Sequence, residues 1–465
     1  MLVNRMRRSV IILNKHCPCE YGCPSSLFHL FRCLNRPTEK NDMNNEFLRE
    51  HFEATRRHFL KSGIVFSGVA AHASHQALSL VDNSPSEAKT PRRPDKAGAR
   101  AEPYFTPQTE FRDVSRGNPL PHTLSEEKKR QVGMTRETWK LEVIADVEHP
   151  ATIGSPMTAA NGTALDFDEL MKLAEVHAVQ FPKVMTCLNL GCPLGMGLWQ
   201  GVPLREVIWR TKPKANLRRV FYFGYHNDDP KQIFRSSLPI GRVLEDPFET
   251  PPIILCYKLN GQWLDSERGG PVRMVVPEAY GFKSIKWLTH VVLSNLPHAN
   301  DTYAEQNNDV DSPLKTFAAS LVVPKESRSN MPIAFSGYAQ VGVSGLSKIQ
   351  VLIEPVSSMT KDEDGLFKSA LWMDAELLGA PTNWNALEGG AVPKDTFGFD
   401  ARGKPIRWPM RFCNAHWVYA QAGLPAGDYI FRCRSIDANG VAQPMPRPFR
   451  KSGFAAIESI EFKVS

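Results

Sequence analysis

Two stretches of this chain have residue types and spacing suited to chemistry. The first is Phe181 to Leu204, in which an apolar run through Val184 and Met185 ends at Cys187. A loop carrying Gly191, Gly195 and Gly197 is expected to follow, with room for close backbone approach. A cysteine at the end of a buried strand can be a nucleophile, a metal ligand or a core residue, and free thiols are most often core. The second stretch is Ile253 to Leu293. There Arg268 and Arg273 bracket the turn Gly269-Gly270-Pro271, and Lys283 and Lys286 follow Gly281. Cations in apolar sequence need an anionic partner. Guanidinium forks and backbone N–H groups at glycine turns suit a phosphate. Charges on a solvated face are the alternative.

The elements that must position these groups can be read from periodicity. Residues 139–145 alternate as a strand. Residues 166–175 have helical spacing with acidic residues at the start, as a helix N-terminus prefers. Residues 202–209 read as a short helix and 220–225 as a strand. The segment Tyr225-His226-Asn227-Asp228-Asp229-Pro230 reads as a solvated polar turn rather than a metal site, because adjacent residues rarely converge on one ion. Asn260-Gly261 is a hairpin signal between residues 259 and 264.

The chain has 465 residues and a net charge of +7. Residues 1–63 hold 11 Lys/Arg against 6 Asp/Glu, so most of that excess sits in the leader. No basic stripe with interleaved aromatics is present, which argues against nucleic-acid binding. No run reaches the roughly 18 apolar residues of a membrane anchor. Within 43–78, Arg56-Arg57-His58-Phe59-Leu60-Lys61, an apolar segment and Ala71-His72-Ala73 follow the order of a twin-arginine export signal, which implies a periplasmic protein. Residues 1–42 are expected to be a misassigned extension, with Met43 the true start. The spacing of Cys17, Cys19, Cys23 and Cys33 fits no standard zinc site. Residues 79–103 read as a disordered, proline-rich linker.

The ordered series Asn260-Gly261, Arg268-Gly269-Gly270-Pro271-Val272-Arg273, Val275-Val276-Pro277 and Gly281 to Leu288 closely resembles the molybdopterin-binding region of the sulfite oxidase family. Cys187 with Trp199, Gly201, Val202 and Leu204 resembles that family's segment carrying the molybdenum-ligating cysteine. Arg116 and Asn118 match weakly a further basic motif. Two departures stand out: Arg268 replaces the family's histidine, and Asn189 is displaced by one position from the expected asparagine.

The resemblance implies an α+β molybdopterin-binding domain of sulfite oxidase type over 104–325, followed by an all-β immunoglobulin-like dimerisation domain over 326–465. It implies molybdenum and molybdopterin as cofactor, with Cys187 as the metal ligand and Cys192 the alternative. Arg116, Arg268 and Tyr225 are the expected catalytic residues, with Arg112 a further candidate for the oxyanion pocket. Arg273, Lys283, Ser284, Lys286 and Asn118 are expected to bind the cofactor. The expected substrate is sulfite or a similar sulfur oxyanion, with electrons leaving to an external acceptor such as a cytochrome c, in a homodimer. Sulfoxide reduction with the same cofactor and a cofactor-free binding protein are the alternatives. In the C-terminal part, residues 333–338, 347–354, 428–437 and 457–464 read as strands. Cys413 and Cys433 are either a pair or single core thiols.

Overall fold

The structure, a computed structural model, describes residues 104–361, 369–453 and 455–465. The expected extension, export signal, linker and N-terminal cysteine group lie outside the described residues. The first ten strands are β1 (Lys140–Ala145), β2 (Leu165–Asp166), β3 (Val179–Thr186), β4 (Pro193–Pro203), β5 (Arg219–Gly224), β6 (Ser236–Pro239), β7 (Ile254–Leu259), β8 (Gln262–Trp263), β9 (Arg273–Val275) and β10 (Leu288–Ser294). The remaining eight are β11 (Phe317–Val322), β12 (Glu326–Ser327), β13 (Ile333–Gln340), β14 (Lys348–Pro355), β15 (Met373–Leu377), β16 (Asn414–Gln421), β17 (Gly427–Ile436) and β18 (Ile460–Val464).

Two mixed α/β layers come from residues 140–294. One sheet runs β2-β1-β10-β5-β6, with β1 and β10 parallel. The other runs β3-β4-β7-β8, with β9 added to β7. The expected helix at 166–175 forms as α2 (Phe167–His177), after a first helix, α1 (Glu126–Gln131). Asp166 caps α2 by accepting a hydrogen bond from Glu169 N at 2.8 Å. The glycine stretch is not a loop throughout. Gly195 and Gly197 lie within β4, paired with Met185 and Lys183 of β3. A Cβ on Gly195 would stand 2.5 Å from the Phe111 ring, so the glycine admits that ring against the sheet.

The C-terminal strands form one eight-stranded path, β11-β13-β16-β15-β14-β17-β18-β12. β15 pairs with β16 on one side and β14 on the other, so the two halves are joined rather than separate sheets. The halves still face each other as sandwich layers do. Phe335 of β13 stacks on Phe431 of β17 with ring centroids 4.6 Å apart. All five cysteines among the described residues are free thiols. Cys413 and Cys433 do not pair because they pack into different hydrophobic clusters.

The main core crosses from the early sheets into the C-terminal region. Trp384, Phe399, Phe412 and Cys413 pack with Phe105, Val184 and Met196. Val184 N donates to Phe412 O at 2.7 Å, and Phe397 N donates to Gln180 O at 2.9 Å. β3, the strand that ends before Cys187, is thus buttressed by residues more than 200 positions later. No helix among the described residues is long and apolar enough to cross a membrane.

Candidate active site

β3 ends at Thr186, and the next residue, Cys187, lines a cavity of about 320 Å³. The turn after β3 is fixed by Gly191 N donating to Cys187 O at 2.9 Å and Cys187 N donating to Cys192 O at 3.3 Å. Cys192 does not line the cavity, and the Arg112 guanidinium lies 3.6 Å from its sulfur. β9 supplies Arg273 to the same cavity, and the 3₁₀ turn Ser266–Arg268 supplies Arg268. Gly269 ends that turn in the left-handed region at φ 100°, with Lys286 packed where a Cβ would stand.

Five cationic side chains line the cavity: Arg112, Arg116, Arg268, Arg273 and Lys286. No aspartate or glutamate lines it. Arg268 and Arg273 are almost fully buried, at 3% and 4% exposure, which is costly for a charge. Arg268 Nη1 donates to Phe111 O at 2.7 Å, and Nη2 pairs with Glu267. Arg273 donates to Arg268 O and Ser284 O, both at 2.6 Å. The Nε group of each arginine has no partner. Burial lowers the Arg273 pKa to about 10, with the neighbouring Arg268 charge acting in the same direction. Buried donors without acceptors, on cations facing a cavity free of carboxylates, are what an anionic ligand would complete.

Lys286 also lines the cavity, but its ammonium is already engaged. It donates to Asp113 Oδ1 at 2.9 Å, Ser115 Oγ at 2.6 Å and Glu267 O at 2.6 Å. It clamps the segment around Asp113 onto the 266–268 turn and so builds a wall of the site. Burial opposes ionisation of Asp113, yet the Ser115 and Lys286 hydrogen bonds outweigh it and bring its pKa down to about 2. Ser284 is buried and lines the cavity, with its Oγ accepting from Val276 N at 3.2 Å.

Three expected site residues do not line the cavity. The Lys283 ammonium turns into the core, donating to Ser237 O at 2.6 Å and lying 3.8 Å from buried Asp301. Asp301 Oδ1 in turn accepts from Tyr303 N and Ala304 N, both at 3.2 Å, so Lys283 anchors a loop rather than contacting the cavity. The Tyr225 hydroxyl points away and donates to Asp228 at 3.0 Å. Asn118 is exposed on the surface beside Pro119. Conversely, the structure brings in two residues that sequence reasoning missed. Tyr303 lines the cavity, with its hydroxyl 3.4 Å from Asn189 Oδ1 and its ring stacked on Phe282 at 3.9 Å. His226, read as part of a solvated turn, is partly buried and lines the cavity as well. Both sit on loops, and a polar loop between strands was their only sequence signal.

Residues 129–302 match the family described as the oxidoreductase molybdopterin binding domain. The protein-methionine-sulfoxide reductase catalytic subunit MsrP of Ralstonia nicotianae is 26% identical over 330 residues, covering 64% of this chain and 91% of that protein. Its counterpart from Burkholderia mallei is 29% identical over 321 residues, covering 62% and 88%. The solved sulfane dehydrogenase SoxCD of Paracoccus pantotrophus is 15% identical, covers 82% of this chain and 97% of that one, and superposes with a TM-score of 0.49.

The residues present suit such a cofactor. Among the described residues, no group of three or more His, Cys, Asp or Glu could hold a metal ion. A single thiol and two buried guanidinium groups with unpartnered Nε atoms share one cavity, a donor set that would suit one soft metal ligand and an anion. The chain carries a molybdopterin-binding oxidoreductase domain, and its cofactor is molybdenum held on molybdopterin.

Proposed function

We propose that the chain oxidises a small sulfur oxyanion, sulfite or a close relative, and passes the electrons to an external acceptor of the cytochrome c type. The observation that carries this reading is a cavity with Cys187 in its wall, five cations in its lining and no carboxylate. When bound, molybdopterin-held molybdenum supplies two-electron oxygen-atom transfer. The Cys187 thiolate would ligate the metal, a soft donor suited to it. Arg273, Arg268 and Ser284 would hold the anionic part of the cofactor. Arg116 and Arg112 are exposed at the cavity mouth and would draw an oxyanion inward. Arg116 is steadied by the Phe234 ring, 4.3 Å away. Tyr303, whose hydroxyl meets Asn189 of the Cys187 turn, would orient the substrate, and Phe111, Phe282 and Trp199 would restrict water. On this reading the protein works in the periplasm as a homodimer, as the Arg56-Arg57 export pattern and the C-terminal resemblance imply.

A second reading, reduction of a sulfoxide, is favoured by the likeness to the two methionine-sulfoxide reductase subunits. Steady-state assay of molybdenum-loaded protein separates the two. Sulfite-dependent reduction of cytochrome c or ferricyanide supports the leading reading. Methionine sulfoxide turnover with an artificial electron donor, and none with sulfite, replaces it with the second.

A further inference from the structure

We propose that His226 is the proton acceptor of the cavity, taking protons from the water whose oxygen is transferred. The inference rests on the oxo-transfer reading above. His226 Nδ1 lies 3.2 Å from Gly224 O. A carbonyl oxygen only accepts, so Nδ1 carries the proton and the neutral ring keeps its lone pair on Nε2. Gly224 ends β5 and pairs with Leu288 of β10, and Tyr225 N donates to Trp287 O at 3.0 Å. The ring is therefore hung from the rigid end of a sheet. It borders both the main cavity and an adjoining one of about 270 Å³ that also includes Arg116, Lys231 and Phe234 in its lining.

The reaction demands such a group. Oxidising sulfite means SO₃²⁻ + H₂O → SO₄²⁻ + 2H⁺ + 2e⁻, with the electrons taken up by two molecules of the external one-electron carrier. Two protons must leave a cavity whose other charged lining groups are all cations that cannot accept them. In the sulfoxide direction, R₂SO + 2H⁺ + 2e⁻ → R₂S + H₂O, the same imidazole would deliver them. The charged groups around the ring favour the neutral form. Arg116 stands beside it, and Lys231 lines the adjoining cavity. The carboxylates of its own turn are committed elsewhere: Asp228 to Lys128 and Tyr225, and Asp229 to Lys231 N and Gln232. Burial moves the His226 pKa below the usual 6.5 and Arg116 adds to this, with the Gly224 contact offsetting part of it.

The test pairs kinetics with a spectrum. For sulfite oxidation, wild-type kcat should rise with pH along an acid limb below pH 6.5, the ordinary histidine value. His226→Gln should retain molybdenum, lose that limb and lower kcat by about 100-fold, with KM little changed. Exogenous imidazole should restore part of the rate to His226→Ala. In metal-free, ¹⁵N-histidine-labelled protein, His226 should show a protonated Nδ1 and a bare Nε2 at neutral pH. A His226→Gln enzyme with wild-type kcat and an intact acid limb overturns the role alone, as does a protonated Nε2 in the neutral ring. A molybdenum-loaded wild type that turns over neither sulfite nor methionine sulfoxide overturns the oxo-transfer reading and this role with it.

Discussion

Two regions of this molecule hold a pair of buried arginines each, and the pairs are treated in opposite ways. In the C-terminal sheet, Arg432 and Arg434 are 5% and 1% exposed. Arg432 spends all three nitrogens, on Ser459 Oγ at 2.9 Å, Glu354 at 2.7 Å and Thr360 O at 3.1 Å. Arg434 donates to Gln350 at 3.0 Å and lies 4.1 Å over the Trp372 ring. Around the cavity, Arg268 and Arg273 are equally buried, yet each leaves its Nε group without a partner. A buried charge closed by its own protein serves the fold. A buried charge left partly open beside a cavity has a donor to offer a ligand there, whereas Arg219, whose Nε is also unpartnered, lines no part of that cavity.

Replacing one arginine from each region sharpens that contrast. Arg432→Met should be the most destabilising, by about 3 kcal/mol, because it leaves Glu354 without its cation. Urea unfolding measures this, and molybdenum content should stay at the wild-type level. If it falls with Arg432→Met, the division between closed and open arginines breaks. Arg273→Lys keeps the charge and loses the planar fork. It should weaken cofactor retention by about tenfold with a smaller change in stability, measured as pterin released on gel filtration. The smallest effect concerns the wall. Asp113→Asn should cost about 1 kcal/mol at pH 7, since the carboxylate is partly exposed and its pair is screened. The depressed pKa of Asp113 gives a contribution present above the ordinary value of 3.8 and lost as pH falls toward about 2. The gap between mutant and wild type should therefore narrow over that window.

Much of the scaffold was legible in the sequence, because strands and capped helices leave local marks. The 220–225 strand expectation became Arg219–Gly224, and Asp166 announced its helix as an N-cap. The glycine stretch misled, since two of its glycines serve close packing inside β4 rather than loop freedom. Within the site, residue type was legible and direction was not. Lys283 and Lys286 belong to one basic cluster, but the 3₁₀ turn Gly281–Lys283 sends the first into the core while the second reaches the cavity wall. Tyr225 and His226 are adjacent, and the chain turns the tyrosine outward and the histidine inward. Tyr303 arrives on a loop held by Lys283 and Asp301, a connection that exists only once both sheets are assembled.

On the proposed function, this cavity holds molybdenum through Cys187. The most direct test is elemental and pterin analysis of protein purified from a molybdenum-replete host, with Cys187→Ser and Cys192→Ser alongside. The expected result is about one molybdenum per chain in wild type and in Cys192→Ser, and an altered or lost metal signal in Cys187→Ser alone. Folded wild-type protein without molybdenum or pterin, or a metal signal that follows Cys192 instead, would contradict it.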